Sequence, residues 1–306
     1  MFYKIYALNR YYYSDNLKLG IAEIAKKDWQ MPKLEANGIN IYYEFMGDGD
    51  PLALIGGSLF GRQNFGLVWE GLAKEFKLIS YDQRGYGLSD RPLQPYNLDL
   101  WADDLAALLE ELSIQKTHIM GTSAGGMIAL KFAAKYPEKC IGVVSDCAFA
   151  KCDKMRRIMF KTWRHMAQSW GCSPEFADHV VTQAVGAEYL DGPNGDNLVE
   201  MVRNVVGLNS VETVVQACLA MENMDLRDDC KIIKSPTLVI TAKRDMLTPM
   251  ETGSTGAGAK WVADNIPDCE VIVYEDIGHA DLVECPDETI ASTINFLKRA
   301  KTKVSG

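Results

Sequence analysis

The chain has 306 residues, 47% of them hydrophobic and 24% charged, enough to bury one large core and unlike a disordered, collagenous or disulfide-stapled chain. With 41 Asp and Glu against 32 Lys and Arg, the net charge of -9 gives no general attraction to phosphate backbones or anionic lipid, so no nucleic-acid or membrane partner is expected. No apolar run reaches bilayer length, the start MFYKIYALNRYYYSD lacks the pattern of a signal peptide, and the expected location is cytoplasmic.

Residues 1–31 read as an N-terminal extension. A Tyr-rich start leads into NLKLGIAEIAKKDWQ, where Leu17, Leu19, Ile21, Ile24 and Ala25 allow a short half-apolar helix before Pro32. The pattern then changes. Asn37-Gly38 is a hairpin signal, and Ile39, Ile41 and Tyr43 alternate with Asn40 and Glu44, which predicts an antiparallel edge. Beyond it, the apolar runs LALI (52–55), LISY (78–81), THIM (117–120), IGVV (141–144), TLVI (237–240) and VIVY (271–274) alternate with helical stretches. Near-continuous apolar runs belong to parallel strands covered on both faces. Trp101, Leu105, Leu108, Leu109 and Leu112 fall on one helix face and supply such a cover.

Between residues 150 and 230 helical patterns continue with no strand-like run, too long a gap for a plain connection. The expectation is a core of residues 32–149 and 231–306, interrupted by a helical insertion over 150–230.

The sharpest chemical signal is Gly121-Thr122-Ser123-Ala124-Gly125-Gly126, directly after THIM and before MIALKFAAKY. A G-x-S-x-G turn between strand and helix needs glycines because the backbone is crowded there, and it lifts the serine hydroxyl above the sheet edge. Ser123 is therefore the candidate nucleophile. Serine needs a base within hydrogen-bond reach, and the base needs an acid to fix its tautomer; in this architecture they follow in the order acid, then His.

Of the four histidines, His118 lies in a strand and His165 and His179 in the insertion, so His279, after VIVY, is the candidate base. Asp245, beyond TLVI, is the preferred acid, and Asp146, ending IGVVSD, is the alternative. An oxyanion would need two N–H donors. Ala124 offers one, and Ser58, in the glycine-rich loop Gly56-Gly57-Ser58-Leu59-Phe60-Gly61, offers the other. The eight cysteines contain no C-x-x-C pair and read as reduced core thiols, so neither a metal nor another cofactor is expected.

The chain resembles α/β-hydrolase-fold enzymes over roughly residues 33–300. The resemblance rests on GTSAGG, YDQRGYGLSD (81–90), SPTLVITAKRD and GHA before a final helix. GGSLFG and ACLAMENMDLRDDCKIIKSPTLVI are similar to segments of 3-oxoadipate enol-lactonases. The resemblance implies a mostly parallel eight-stranded sheet with helices on both faces and an inserted helical lid. It also implies a serine hydrolase of carboxylic esters or lactones that uses Ser123, His279 and Asp245.

Met155, Met159, Trp163, Met166 and Trp170 recur at helical spacing and predict an apolar stripe on the insertion's first helix, with Arg156 the one nearby cation able to turn inward. Gly57, Leu59, Met155, Arg156, Met159 and Trp163 are thus the expected substrate contacts, Arg156 meeting an anionic group. A C–C hydrolase, a perhydrolase, an acyltransferase or a receptor with vestigial hydrolysis would carry the same residues. No feature of the sequence fixes an oligomeric state.

Overall fold

The computed structural model describes residues 33–305. The expectation for residues 1–31 lies outside them. Asn37 and Gly38, at φ 49° and 75°, turn the chain between β1 (Lys33–Ala36) and β2 (Ile39–Met46), which pair antiparallel. A left-handed conformation at both central residues is what a tight hairpin needs, and Asn-Gly adopts it at low cost. The strands β3 (Asp50–Ile55), β4 (Phe76–Tyr81), β5 (Thr117–Thr122), β6 (Cys140–Asp146), β7 (Thr237–Ala242) and β8 (Cys269–Tyr274) complete one eight-stranded sheet. Its order is β1-β2-β4-β3-β5-β6-β7-β8, and every pairing beyond β2 with β4 is parallel.

The continuous apolar runs divide by parity between two cores. Ala53, Ile55, Ile79, Ile119, Val143 and Val239 enter the larger cluster, with Trp101, Leu105 and Leu108 of the helix Leu98–Glu111. Their neighbours Leu52, Leu54, Leu78, Met120, Val144 and Leu238 point the other way, against Phe296, Leu297 and Ala300 of the helix Pro286–Ser305. A strand buried on both faces has no polar alternate, which is why the sequence shows runs and not alternation.

Six helices fill the chain between β6 and β7: Lys154–Trp170, Pro174–Ala184, Ala187–Leu190, Gly195–Val206, Val211–Asn223 and Arg227–Ile232. Their apolar faces, through Phe160, Phe176, Val202, Val214 and Ala217, extend the larger cluster. Among the described residues no helix is long and apolar enough to cross a membrane. All eight cysteines are free thiols.

One buried ion pair ties the edge hairpin to the first long helix. Arg84 donates twice to Asp104, both at 2.6 Å, and the Asn37 side-chain amide donates to the same carboxylate at 2.7 Å. The bidentate geometry and the third donor satisfy charges that burial would otherwise make costly.

His118 on β5 is wholly buried, packs edge-on to Phe76 at 5.7 Å between centroids, and has no hydrogen-bond partner on either ring nitrogen. Burial pushes its pKa down from 6.5 to about 4. The folded imidazole stays neutral while the unfolded one takes a proton, so stability is full above about pH 6.5 and falls as pH drops toward 4. Denaturant titrations should show a loss approaching about 3 kcal/mol across that window. His118→Leu should flatten that acid slope, and an unchanged slope would assign it to other groups.

Candidate active site

The carboxyl end of β5 leads directly into Ser123, at φ 56° and ψ −122°, and then into the helix Ala124–Lys135. This backbone conformation is strained for a residue with a side chain and is held by its surroundings. The Ser123 N–H donates to the Asp146 carbonyl at 2.8 Å. A Cβ on Gly121 would stand 2.0 Å from the Gly125 carbonyl oxygen, and one on Gly125 would stand 2.0 Å from that of Ile55. Glycine at both positions is thus a steric requirement of the elbow.

The loops after β7 and β8 bring Asp245 and His279 together, with Nδ1 of the imidazole 2.9 Å from Oδ2 of the carboxylate. Asp245 is 3% exposed, and its other oxygen accepts the Leu247 and Thr248 N–H groups at 2.8 Å each. Burial alone would raise the Asp245 pKa, but the charge and hydrogen bond of His279, with those from Thr248, outweigh it and leave it lowered. Burial likewise works against a charged His279, yet the Asp245 carboxylate holds its pKa above the ordinary imidazole value.

Thr248 completes this arrangement. Its hydroxyl lies 2.6 Å from both the Cys147 carbonyl oxygen and Asp245 Oδ2, and 3.0 Å from His279 Nδ1. Among the described residues the Ser123 hydroxyl makes no hydrogen bond to the imidazole. Such contacts are commonly long without substrate and shorten once it is bound.

The glycine-rich loop after β3 abuts the elbow, since a Cβ on Gly57 would lie 3.0 Å from the Ser123 Cβ. The Gly57 N–H is spent on Asn64 Oδ1 at 2.7 Å, and Gln83 Nε2 donates to the Gly56 carbonyl at 2.6 Å, so the loop is braced from two sides. Leu59 adopts φ 73°, and the buried Tyr86 hydroxyl is hydrogen-bonded to its backbone and to the Ser58 side chain. The Ser58 N–H has no partner among the described residues, and the Ala124 N–H, in the first turn of its helix, is free of intrahelical bonding.

The family model described as alpha/beta hydrolase fold matches residues 55–171. A putative carbamate hydrolase RutD from Caulobacter sp. (strain K31) is 25% identical over 245 residues, covering 78% of this chain and 88% of its own length. 3-Oxoadipate enol-lactonase 2 from Acinetobacter baylyi is 27% identical over 226 residues, covering 72% and 81%. The crystal structure of the enol-lactonase from Burkholderia xenovorans LB400 superposes with a TM-score of 0.79 over 87% of this chain and all of that one, at 22% identity. The chain has the α/β-hydrolase fold.

The inserted segment reaches the loops around the site through hydrogen bonds. The His279 N–H donates to the Ala184 carbonyl at 2.7 Å, and the Asn209 amide donates to the Leu59 carbonyl at 2.8 Å. Glu284 links the insertion to the His279 loop, accepting from the Gly186 N–H at 3.1 Å and the Gly278 N–H at 3.0 Å.

The helix Lys154–Trp170 has the expected period but a different phase. Its buried face is Arg156, Phe160, Trp163 and Ala167, about 70° around the helix from the predicted stripe. Met155 is 68% and Trp170 58% exposed, so Met155 is not a substrate contact in this structure. Phe160 and Ala167 set the phase; Trp163 packs edge-on to Phe160 and Phe176 and donates its indole N–H to Gln183. Met159 is half-buried against the larger core. Arg156 does turn inward, but its guanidinium pairs with the helix-capping Asp153 at 2.9 Å and donates to the Met246 carbonyl at 3.3 Å. It fastens the helix start to the Asp245 loop and is not left for a substrate anion.

Sequence reading missed Thr248, Glu284 and Gln83. Only Thr248 carried a local signal, since Asp245-Met-Leu-Thr248 has the spacing of an Asx turn. Two side-chain and ring clusters gather ligand-type atoms within 4.8 Å of one another: Cys147, Asp245 and His279, and Asp146, Cys147 and Asp281. In the first, the carboxylate and imidazole already bond each other.

Glu284→Ala should leave the Gly186 and Gly278 N–H groups without their acceptor and destabilise the protein by about 2 kcal/mol in denaturant titrations. Glu284→Gln, which keeps an acceptor oxygen, should lose less; equal losses would mean that packing and not the two bonds matters.

Proposed function

We propose that the protein is a serine hydrolase of carboxylic esters or lactones, acting through an acyl-enzyme. The observation that carries this reading is the 2.9 Å bond between His279 Nδ1 and Asp245 at the same sheet edge as the strained Ser123. With Nδ1–H directed at the carboxylate, Nε2 is left as the base. Ser123 Oγ attacks the acyl carbon and passes its proton to Nε2, and the N–H groups of Ser58 and Ala124 receive the negative oxygen. Collapse returns the proton to the leaving alkoxide. In the second half-reaction His279 takes a proton from water, which displaces the acyl group from Ser123.

Similarity to a carbamate hydrolase and to enol-lactonases supports the acyl-carbon chemistry. On this reading the substrate is a small molecule contacting Gly57, Leu59 and Met159, covered by residues 150–230 as a lid, and no metal or other cofactor enters the reaction. The protein would work in the cytoplasm.

A panel of aryl esters, lactones and carbamates, run with fluorophosphonate labelling, tests this. Ser123→Ala should abolish labelling and lower kcat by roughly 10⁴ to 10⁶ with the fold intact, because such groups act as a unit. A labelled or active variant would require another nucleophile.

The pH dependence is a separate check. The active form carries neutral His279, so kcat/KM should fall on the acid side with a midpoint above the ordinary imidazole value of 6.5. Asp245→Asn should move that midpoint down and lower kcat by about 10⁴. A midpoint that stays in place would exclude His279 as the titrating base.

A further inference from the structure

We propose that Asp146 and Asp281 form a proton-sharing carboxyl pair that positions the His279 loop against the Ser123 elbow. This rests on the serine-hydrolase reading above and adds two positioning residues to it. Asp146 ends β6, and its carbonyl accepts the Ser123 N–H. Asp281 lies two residues beyond His279, opens the short helix Asp281–Glu284, and accepts a hydrogen bond from the Thr289 hydroxyl at 3.0 Å. Each side chain is therefore fastened to one member of the reacting pair.

Both carboxyls are wholly buried, and one oxygen of each lies within 4.8 Å of the other and of the Cys147 sulfur. With both ionised, neither oxygen of Asp146 has a hydrogen-bond partner. A proton on one Asp146 oxygen gives that oxygen a partner, because the acid can then donate to the Asp281 carboxylate beside it. Two carboxylates in one dry site cannot both ionise without a counter-charge, and one retained proton turns repulsion into a strong hydrogen bond. The strut then runs from Ser123 through its N–H to the Asp146 carbonyl, across the shared proton to Asp281, and along two residues to His279.

The groups facing the pair favour keeping this proton. Glu284 comes from the His279 loop, and Cys147, Cys285 and Tyr274 surround the pair as neutral acids, with Asp245 beyond Cys147 and Glu288 beyond Cys285. When protonated, His279 supplies a positive charge that bears on Asp281. Burial first, then the mutual charge, raises the Asp146 pKa well above the carboxylate range, and burial raises that of Asp281. Loss of the proton at alkaline pH sets two negative charges against each other beside the imidazole and drives the loop from the elbow.

The test follows fluorophosphonate labelling rate against pH and the infrared carbonyl stretch of protonated carboxyl, with heat-denaturation curves to check the fold. Wild-type protein should label more slowly at high pH and show a buried protonated carboxyl. Asp146→Asn, whose amide N–H replaces the shared proton, should label near the wild-type rate at neutral pH, lose the alkaline decline and lose the infrared band. Asp146→Ala should label about a hundredfold more slowly, the size of effect that small misplacements produce.

A folded Asp146→Asn that keeps the alkaline decline, keeps the band, or labels as slowly as the alanine variant overturns the inference. Should the alanine variant fail to fold, the asparagine variant decides it alone. Wild-type protein that does not label at all overturns the serine-hydrolase reading and the positioning role with it. Labelling with no protonated-carboxyl band overturns the pair alone.

Discussion

Backbone crowding where β3, β5 and β6 end is the constraint on which the site depends. The elbow brings the Ser123 backbone onto the Asp146 carbonyl, and the Gly125 helix start onto the Ile55 carbonyl, at distances that leave no room for a methyl group. The same crowding sets the Gly57 loop against the Ser123 side chain. A strained serine and a loop pressed against it are consequences of one packing arrangement. The larger core beneath, continuous from the sheet into the inserted helices, is what keeps the strain in place.

Charge at this edge is arranged by pairing. Asp245 is surrounded by donors and stays ionised although buried, whereas Asp146 meets another carboxyl and is driven toward its neutral form. Two buried aspartates, each beside Cys147, thus acquire opposite protonation preferences from their neighbours. That contrast bears on the choice of acid, since both residues end or follow strands next to the His279 loop. It is Asp245 that lies in hydrogen-bonding contact with the imidazole.

The connections between insertion and core share a pattern. Ala184, Gly186 and Asn209 meet the His279 and Leu59 loops through backbone groups or single amides, and Arg156 locks the first inserted helix to the Asp245 loop. The inserted segment is bonded to the loops carrying the imidazole, the acid and the N–H donors. A displacement of it would be felt by all three, which is a physical route from the position of the inserted segment to site geometry.

The α/β architecture, six of the strands, the Asn37-Gly38 hairpin and the special character of Ser123 were legible in the sequence, because each has a local cause: paired burial faces, turn chemistry, or glycine where backbones touch. His279 and Asp245 could be nominated from their order along the chain, but not their contact. The phase of the Lys154–Trp170 helix was misread because Met and Trp were weighted by type, while Phe160 and Ala167, with Arg156 neutralised by Asp153, face the core.

Thr248, Glu284, Gln83 and the Asp146–Asp281 pair act on residues 3, 6, 98, 27 or 135 positions away, separations at which only the Thr248 spacing leaves a local trace. The sequence by itself determined which elements form and where the strained serine turn lies, since those follow from neighbours along the chain. The tertiary structure alone decided which buried carboxyl meets the imidazole and which meets a proton. That depends on the few ångströms separating strand ends, a distance set by the packing of the whole sheet.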